Sequence, residues 1–221
     1  MSRLVVKCGG AVMADAAATI HALAAHAEVC VVHGAGPQIT AEMHRHHVPV
    51  RFVGGRRVTT PAGLEIVRSS LLEVNRSLCA ALGERAVGLI GDEIGLEATR
   101  IPELGFVGDP LPSSPRAVEE AFDAGRIPVV APLAAGPLNV NADEAAAALA
   151  VGLGAERLLF VTDVPGLLRE GAVVPEIQAV DADLLLAAGE LEGGIVPKLR
   201  AAVTAARLGV HAEIGETAVL A

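Results

Sequence analysis

The sequence has no tryptophan, no tyrosine and only four phenylalanines among 221 residues. Aromatic platforms for stacking bases are therefore nearly excluded. Lysine is almost as scarce: of the 17 basic residues only Lys7 and Lys198 are lysine, and the rest are arginine. The formal net charge is −9, the opposite of the basic footprint that a nucleic-acid binder needs. Cysteine is limited to Cys8, Cys30 and Cys79. They are odd in number, widely spaced and set among apolar residues, so they read as buried free thiols of a cytoplasmic protein. No CxxC or Cys/His cluster offers a metal cage. The longest charge-free stretch, Ile127 to Ala142, carries three prolines and is too short to span a bilayer. The opening MSRLVVKCGG has only a short apolar run before Lys7, which leaves no room for a signal-peptide core. The expected protein is cytoplasmic, with no membrane and no nucleic-acid partner.

What is present is apolar: 52% of the residues are hydrophobic, enough for a substantial core in one large domain or two small lobes. Leu4 to Cys8 and Glu28 to His33 are short apolar runs, each ending at glycines and each followed by a helix-forming segment. This strand–glycine–helix repetition predicts a parallel sheet built from βαβ units. Arg51 to Thr60 reads as a hairpin around Gly54-Gly55. A long helix is expected over Pro61 to Leu82 with Thr60 as its N-cap. Further strands are expected at Ala86 to Ile90, Ile127 to Ala131 and Arg157 to Thr162, with short ones near Val210 and Val219. Helices are expected over Arg116 to Ala124, Asp143 to Leu153, Asp181 to Ala188 and Pro197 to Leu208. The fold class is α/β, a three-layer αβα sandwich around an open, mainly parallel sheet. Two lobes on one continuous domain are expected, an N-terminal one over residues 1–132 and a C-terminal one over 133–221.

Gly9-Gly10 and Gly34-Ala35-Gly36 both fall where a strand's C-terminal end meets a helix N-terminus, the usual ligand edge of such a sheet. Glycines there let backbone N–H groups approach a phosphate, and the helix end adds positive potential. Lys7 precedes the first turn and can share that edge, or it can be a strand lysine reaching to the surface. Lys198 follows Gly193-Gly194 and a proline at another helix start. Arginine enrichment leaves few reasons to keep a lysine except its compact ammonium. There is no GxxxxGK[ST] loop, and the GxG after the second strand lacks the third glycine and the distant acidic residue of a dinucleotide site. Asn139 and Asn141 alternate just before Asp143, which suits polar recognition, although Asp143 also fits a plain helix N-cap. Arg56-Arg57 is a fork-type candidate for a carboxylate, or simply a solvated pair. His44, His46 and His47 gather at one helix end, where the negative pole favours them. No metal-ligating set is expected.

The ordered strings VVKCGG, VVHGAGPQI, GRRVT, NVNADEAAAAL, VTDVPGLL and GGIVPKL resemble the amino acid kinase family, in particular its N-acetylglutamate kinases. The resemblance covers nearly the whole chain. It implies an eight-stranded, largely parallel sheet with the amino acid bound in the N-terminal part and ATP in the C-terminal part. It implies transfer of the ATP γ-phosphoryl, with Mg²⁺ held mainly by the phosphates, to the side-chain carboxylate of N-acetyl-L-glutamate. By that resemblance Lys7 and Lys198 stabilise the transition state and Asp143 orients them. Gly34, Ala35 and Gly36 cradle substrate and γ-phosphate, with Gly9, Gly10 and Gly194 on the nucleotide side. Arg57 pairs with the substrate's α-carboxylate and Asn139 holds its other polar groups. Asp163, Val164, Gly166, Leu167 and Leu168 line the adenine and ribose pocket.

The sequence departs from the family at the middle glycine of HGGG, here Ala35, which is tolerable if its φ stays negative. The stretch between Pro132 and Asn139 and the part after Val210 are shorter than usual. The first strand begins at about Arg3, without the extra N-terminal helix of arginine-inhibited members, so a homodimer insensitive to arginine is expected. The apolar surplus of the Pro61–Leu82 helix (Leu64, Val67, Leu71, Leu72, Leu78 and Leu82) would face the partner. The alternative functions are a kinase of an N-blocked aminoadipate or of a carrier-protein-linked glutamate, and a catalytically silent amino-acid or nucleotide sensor.

Overall fold

The chain builds its core around one mixed sheet whose central strands are buried on both faces. The computed structural model describes residues 1–9, 13–162 and 164–221. Eight strands make the sheet: β1 (Arg3–Cys8), β2 (Glu28–His33), β3 (Ala86–Ile90), β4 (Ile127–Ala131), β5 (Arg157–Val161), β6 (Glu176–Gln178), β7 (His211–Ile214) and β8 (Thr217–Leu220). Their spatial order is β6-β8-β7-β5-β1-β2-β4-β3. Every neighbouring pair is parallel except the β7–β8 hairpin. The central strands read as near-continuous Val, Leu, Ile and Cys because parallel strands covered by helices have no wet face.

Among the described residues, eight helices flank the sheet: α1 (Met13–Ala24), α2 (Gly36–Arg45), α3 (Pro61–Leu82), α4 (Gly91–Ile94), α5 (Arg116–Asp123), α6 (Ala142–Gly152), α7 (Ala179–Ala188) and α8 (Ile195–Arg207). Alternate residues of each strand face opposite layers. Leu4, Val6 and Cys8 of β1 join Ile20 of α1 and Leu78 and Leu82 of α3 in one core. Val5 joins Val118 and Phe122 of α5 and the alanine-rich face of α6 in the other. Lys7 has the parity of Val5, so the pleat directs it to the α6 side. This is the expected αβα sandwich, and one sheet runs through both halves of the chain.

Several boundaries differ from the sequence expectation. Helix α6 begins at Ala142 because its N-cap is Asn141, whose Oδ1 accepts from Asp143 N at 2.8 Å and Glu144 N at 3.2 Å. Asp143 is therefore not the cap, and its carboxylate is available for another partner. Helix α8 starts at Ile195, with Pro197 inside the first turn, where a missing N–H costs no intrahelical bond. Strand β6 and the hairpin Leu168–Arg169/Ala172–Val173 have no counterpart in the sequence expectation. Thr60 does cap α3, accepting from Gly63 N at 3.1 Å.

The partner-facing surplus on α3 is a correction. Leu64, Val67, Leu71, Leu78 and Leu82 are all buried inside one chain, because the helix packs against both α2 and the sheet. Only Leu72 of the six is partly exposed. Cys8 and Cys30 are buried thiols pushed up to about 12 by desolvation, whereas Cys79 is half-buried. Among the described residues no helix is long and apolar enough to cross a membrane.

Candidate active site

The C-terminal ends of β5, β1 and β2 stand side by side, with Cys8 in register with both Val161 and His33. The chain leaves this edge at Gly9, Gly34 and Thr162, and the site is built there. A cavity of about 470 Å³ is lined by Lys7, Gly9, Gly34, Ala35, Gly36, Arg57, Asn139, Asp143, Gly194 and Lys198, among others. A second cavity of about 520 Å³ is lined by Val164, Gly166, Leu167, Leu168 and Leu191, and it shares Thr162, Gly194 and Lys198 with the first. Almost every residue singled out in the sequence thus falls on one of two adjoining cavities. Gly10 and Asp163 lie outside the described residues. A larger cavity of about 680 Å³ opens between α6, α7 and α8, but its Arg56 and Arg207 are already paired with Glu144 and Asp183.

Lys7 and Asp143 form a buried ion pair, Nζ to Oδ1 2.8 Å, with each side chain 7% exposed. Strand parity brings the lysine and the first turn of α6 brings the carboxylate. Burying either charge alone is costly, so each requires the other. Lys198 is partly exposed at the first turn of α8 and donates to Gly194 O at 3.2 Å.

The glycine turn works differently from the sequence expectation at one position. Gly34 N–H donates to Cys8 O at 3.1 Å, and Gly9 N–H to Val161 O at 3.3 Å. Ala35 and Gly36 begin α2, where the first amides have no intrahelical acceptor. A Cβ on Gly36 would meet nothing within 4 Å, and one on Gly34 would touch only Ala142 Cβ at 3.8 Å. The fold itself does not demand glycine at these two positions, whereas close approach of a ligand would. Ala35 adopts φ −142° and packs its methyl beside Ile39 and Met43, so the departure from HGGG is accommodated without strain.

His33, the last residue of β2, is fully buried, and its Nε2 lies 3.1 Å from Asn75 Nδ2. Asn75 also donates to Val129 O at 2.8 Å. Burial lowers the imidazole to about 4, so it is neutral at pH 7 and accepts from Asn75. A histidine with a depressed folded pKa costs stability as pH falls, because the unfolded chain takes up the proton first. The loss develops between about pH 6.5 and 4, at up to ~1.4 kcal/mol per pH unit. Urea unfolding at pH 6.5, 5.5 and 4.5 is expected to give a His33→Asn variant a flatter pH dependence than the parent. Equal slopes would show that His33 is not the group responsible.

Arg57 is 7% exposed and is held by its own surroundings. Its Nη2 donates to Thr40 Oγ1 at 2.8 Å and to Gly36 O at 3.2 Å, and its guanidinium lies over Phe52, 4.6 Å from the ring centroid. Arg56 is paired rather than simply solvated: it binds Glu144, Nε to Oε2 2.9 Å, and also Asp109, on the wall of the first cavity. The hairpin Phe52–Val53/Arg56–Arg57 is thereby fastened to α6 beside Asp143. On the other side, Gly166 adopts φ +155°, and a Cβ there would lie 2.5 Å from Thr217 Oγ1. The same hydroxyl accepts from Leu167 N at 2.8 Å, fixing the turn that walls the second cavity.

Sequence reasoning missed Thr59, Phe52 and Thr217, and it read Asn141 as a recognition residue rather than as the cap of α6. That cap could have been found, since an Asn two residues before an Asp at a helix start is a cap signature. Nothing local marks Thr217, which acts across about fifty residues. An arginine over an aromatic ring and a carboxylate-bound lysine thus stand together at a glycine-lined sheet edge.

The chain belongs to the amino acid kinase family, whose model matches residues 2–215. Its curated relatives include the acetylglutamate kinase of Rubrobacter xylanophilus, 43% identical over 97% of this chain and 88% of the relative. The acetylglutamate kinase of Geobacillus kaustophilus is 38% identical over 91% of this chain and 84% of its own. Among solved structures, smu.665 from Streptococcus mutans UA159 superposes with a TM-score of 0.90 at 29% identity, over 99% of this chain and 98% of the other.

Proposed function

We propose that the protein transfers the γ-phosphoryl group of ATP to the side-chain carboxylate of N-acetyl-L-glutamate. The products are N-acetyl-L-glutamyl 5-phosphate and ADP, in the second step of arginine biosynthesis. The observation that carries this reading is the junction of two cavities at Gly194 and Lys198, with the Lys7–Asp143 pair on the wall of one. The names of the relatives at 43% and 38% identity support the choice of acceptor.

The nucleophile is a carboxylate with an ordinary pKa of about 4.3, so it is ionised at pH 7 and no general base is required. The barrier is electrostatic, since an anion attacks a polyanion. Lys7 and Lys198 set fixed positive charge around the transferring group, and the Ala35 and Gly36 amides add oriented dipoles. Asp143 keeps the Lys7 ammonium at the reacting edge. Gly9, Gly34 and Gly194 keep that edge bare of side chains. Asp143 is the one acidic side chain among the described residues lining the first cavity, and it is tied to Lys7. That donor set would leave a Mg²⁺ ion to be held mainly by the ATP phosphates, whose charge it would help to neutralise. The turn carrying Val164, Gly166, Leu167 and Leu168 would take the nucleoside. The amino acid falls mainly to residues 1–132 and the nucleotide to 133–221, with Asn139 and Asp143 reaching across from the second part.

Arg57 is placed to bind the α-carboxylate equally in ground and transition states. Arg57→Ala is therefore expected to raise KM for N-acetylglutamate while KM for ATP stays nearly unchanged. A rise in KM for ATP alone would overturn the assignment of the two cavities. We place the reaction in the cytoplasm, on the buried free thiols and the biosynthetic substrate. A homodimer is proposed on the family resemblance alone, since α3 satisfies its apolar face internally. Light scattering near twice 22.4 kDa supports it, and the mass of one chain rejects it.

A further inference from the structure

Thr59 lies two residues after Arg57 and is 1% exposed. Its main chain is clamped on both sides: its N–H donates to Leu104 O at 2.9 Å, and its carbonyl accepts from Phe106 N at 2.8 Å. The segment opposite is equally constrained, because a Cβ on Gly105 would lie 2.3 Å from Thr59 O. The side chain therefore projects from a fixed point. Its hydroxyl donates to Arg57 O at 2.8 Å and meets Asn139 Nδ2 at 2.9 Å.

A hydroxyl has one proton. With that proton given to the Arg57 carbonyl, the oxygen can only accept from Asn139. The amide must then present its NH₂ to Thr59, because the reverse orientation sets two acceptors against each other. What remains of the Asn139 amide for the cavity it lines is the Oδ1 acceptor and one N–H. A substrate group facing Oδ1 must be a hydrogen-bond donor. An N-acylated acidic amino acid at neutral pH has one such donor, its amide N–H, and every other polar atom on it accepts.

We propose that Thr59 is a positioning residue that sets the polarity of the amino-acid site: the order Arg57 carbonyl, Thr59 hydroxyl, Asn139 amide forces Oδ1 outward and selects acceptors bearing an amide N–H. This inference rests on the reading of the first cavity as the amino-acid site. It assigns Thr59 no contact with substrate, only control of the residue that makes one.

The test compares Thr59→Val, which keeps the shape and removes the proton, with Thr59→Ser, which restores it. For Thr59→Val the KM for N-acetylglutamate is expected to rise about tenfold, with KM for ATP within twofold of the parent. The preference for N-acetylglutamate over its ester isostere, in which oxygen replaces the amide N–H, is expected to fall by a similar factor. Thr59→Ser is expected to return both quantities to within threefold. An unchanged amino-acid KM, equal changes in both KM values, or failure of the serine to rescue overturns the proposal. If Thr59→Val does not fold, Thr59→Cys, a weaker donor with one proton, is expected to give an intermediate KM, and no shift overturns the proposal. Side-chain NMR separates this from the activity itself: one Asn139 amide proton should be protected from exchange in the parent and exposed in Thr59→Val. Absence of that protection overturns the relay even if the enzyme is active. A parent protein that shows the protection but does not turn over N-acetylglutamate overturns the activity reading and, with it, the substrate selection, leaving only the hydrogen-bond order.

Discussion

Lys198→Arg is expected to lower kcat on the order of 10²-fold or more, the scale for losing one electrostatic stabiliser. The substitution keeps the charge, so the loss would come from shape. Lys198 lines both cavities at their junction, at the first turn of α8. A compact ammonium can approach a transferring phosphoryl group from one point, whereas a planar guanidinium needs a wider slot and spreads its charge. The side chain is only partly buried, so the fold should tolerate the exchange. Equal thermal unfolding of the two proteins checks this. A variant within twofold of the parent in kcat would show that Lys198 does not touch the reacting group.

Asp143→Asn is expected to damage both stability and activity. The Lys7–Asp143 pair is buried, and removing one charge leaves the other uncompensated at a cost of about 3–5 kcal/mol. That is a large share of the ~5–15 kcal/mol that holds a typical domain together. Replacing both partners separates the two roles. Lys7→Met/Asp143→Leu removes the buried charges together and should recover most of the lost stability. It should recover no activity, because the proposed transition-state cation is gone. An active double variant would make the pair purely structural. A loss below about 1 kcal/mol in Asp143→Asn would mean that the ammonium finds water or another partner.

Much of the candidate site was legible because its residues sit at chain-local punctuation. Apolar runs ending at Gly9 and Gly34 announce parallel strands and their ligand edge, and the scarcity of lysine points to Lys7 and Lys198. Thr60 and Pro61 mark the start of α3, which the structure places at Pro61. What stayed hidden is long-range or too short for periodicity. Two-residue strands such as Leu168–Arg169 have no pattern to read. The link of Asp143 to Lys7 was expected from the family resemblance alone, since no local pattern says which face of β1 meets α6, and the hydroxyls of Thr59 and Thr217 act between distant segments. The apolar excess of α3 misled for the same reason: a helix wedged between α2 and the sheet buries more than one stripe.

Turnover decides the identity of the acceptor. A coupled ADP-release assay with Mg-ATP should be run across N-acetylglutamate, N-acetylaminoadipate, glutamate, aspartate and UMP, with hydroxylamine to trap an acyl phosphate. Turnover with N-acetylglutamate, with ADP and trapped hydroxamate in equal amounts, is the predicted result. Turnover with UMP or aspartate but not with N-acetylglutamate, or ATP binding without any turnover, would contradict it.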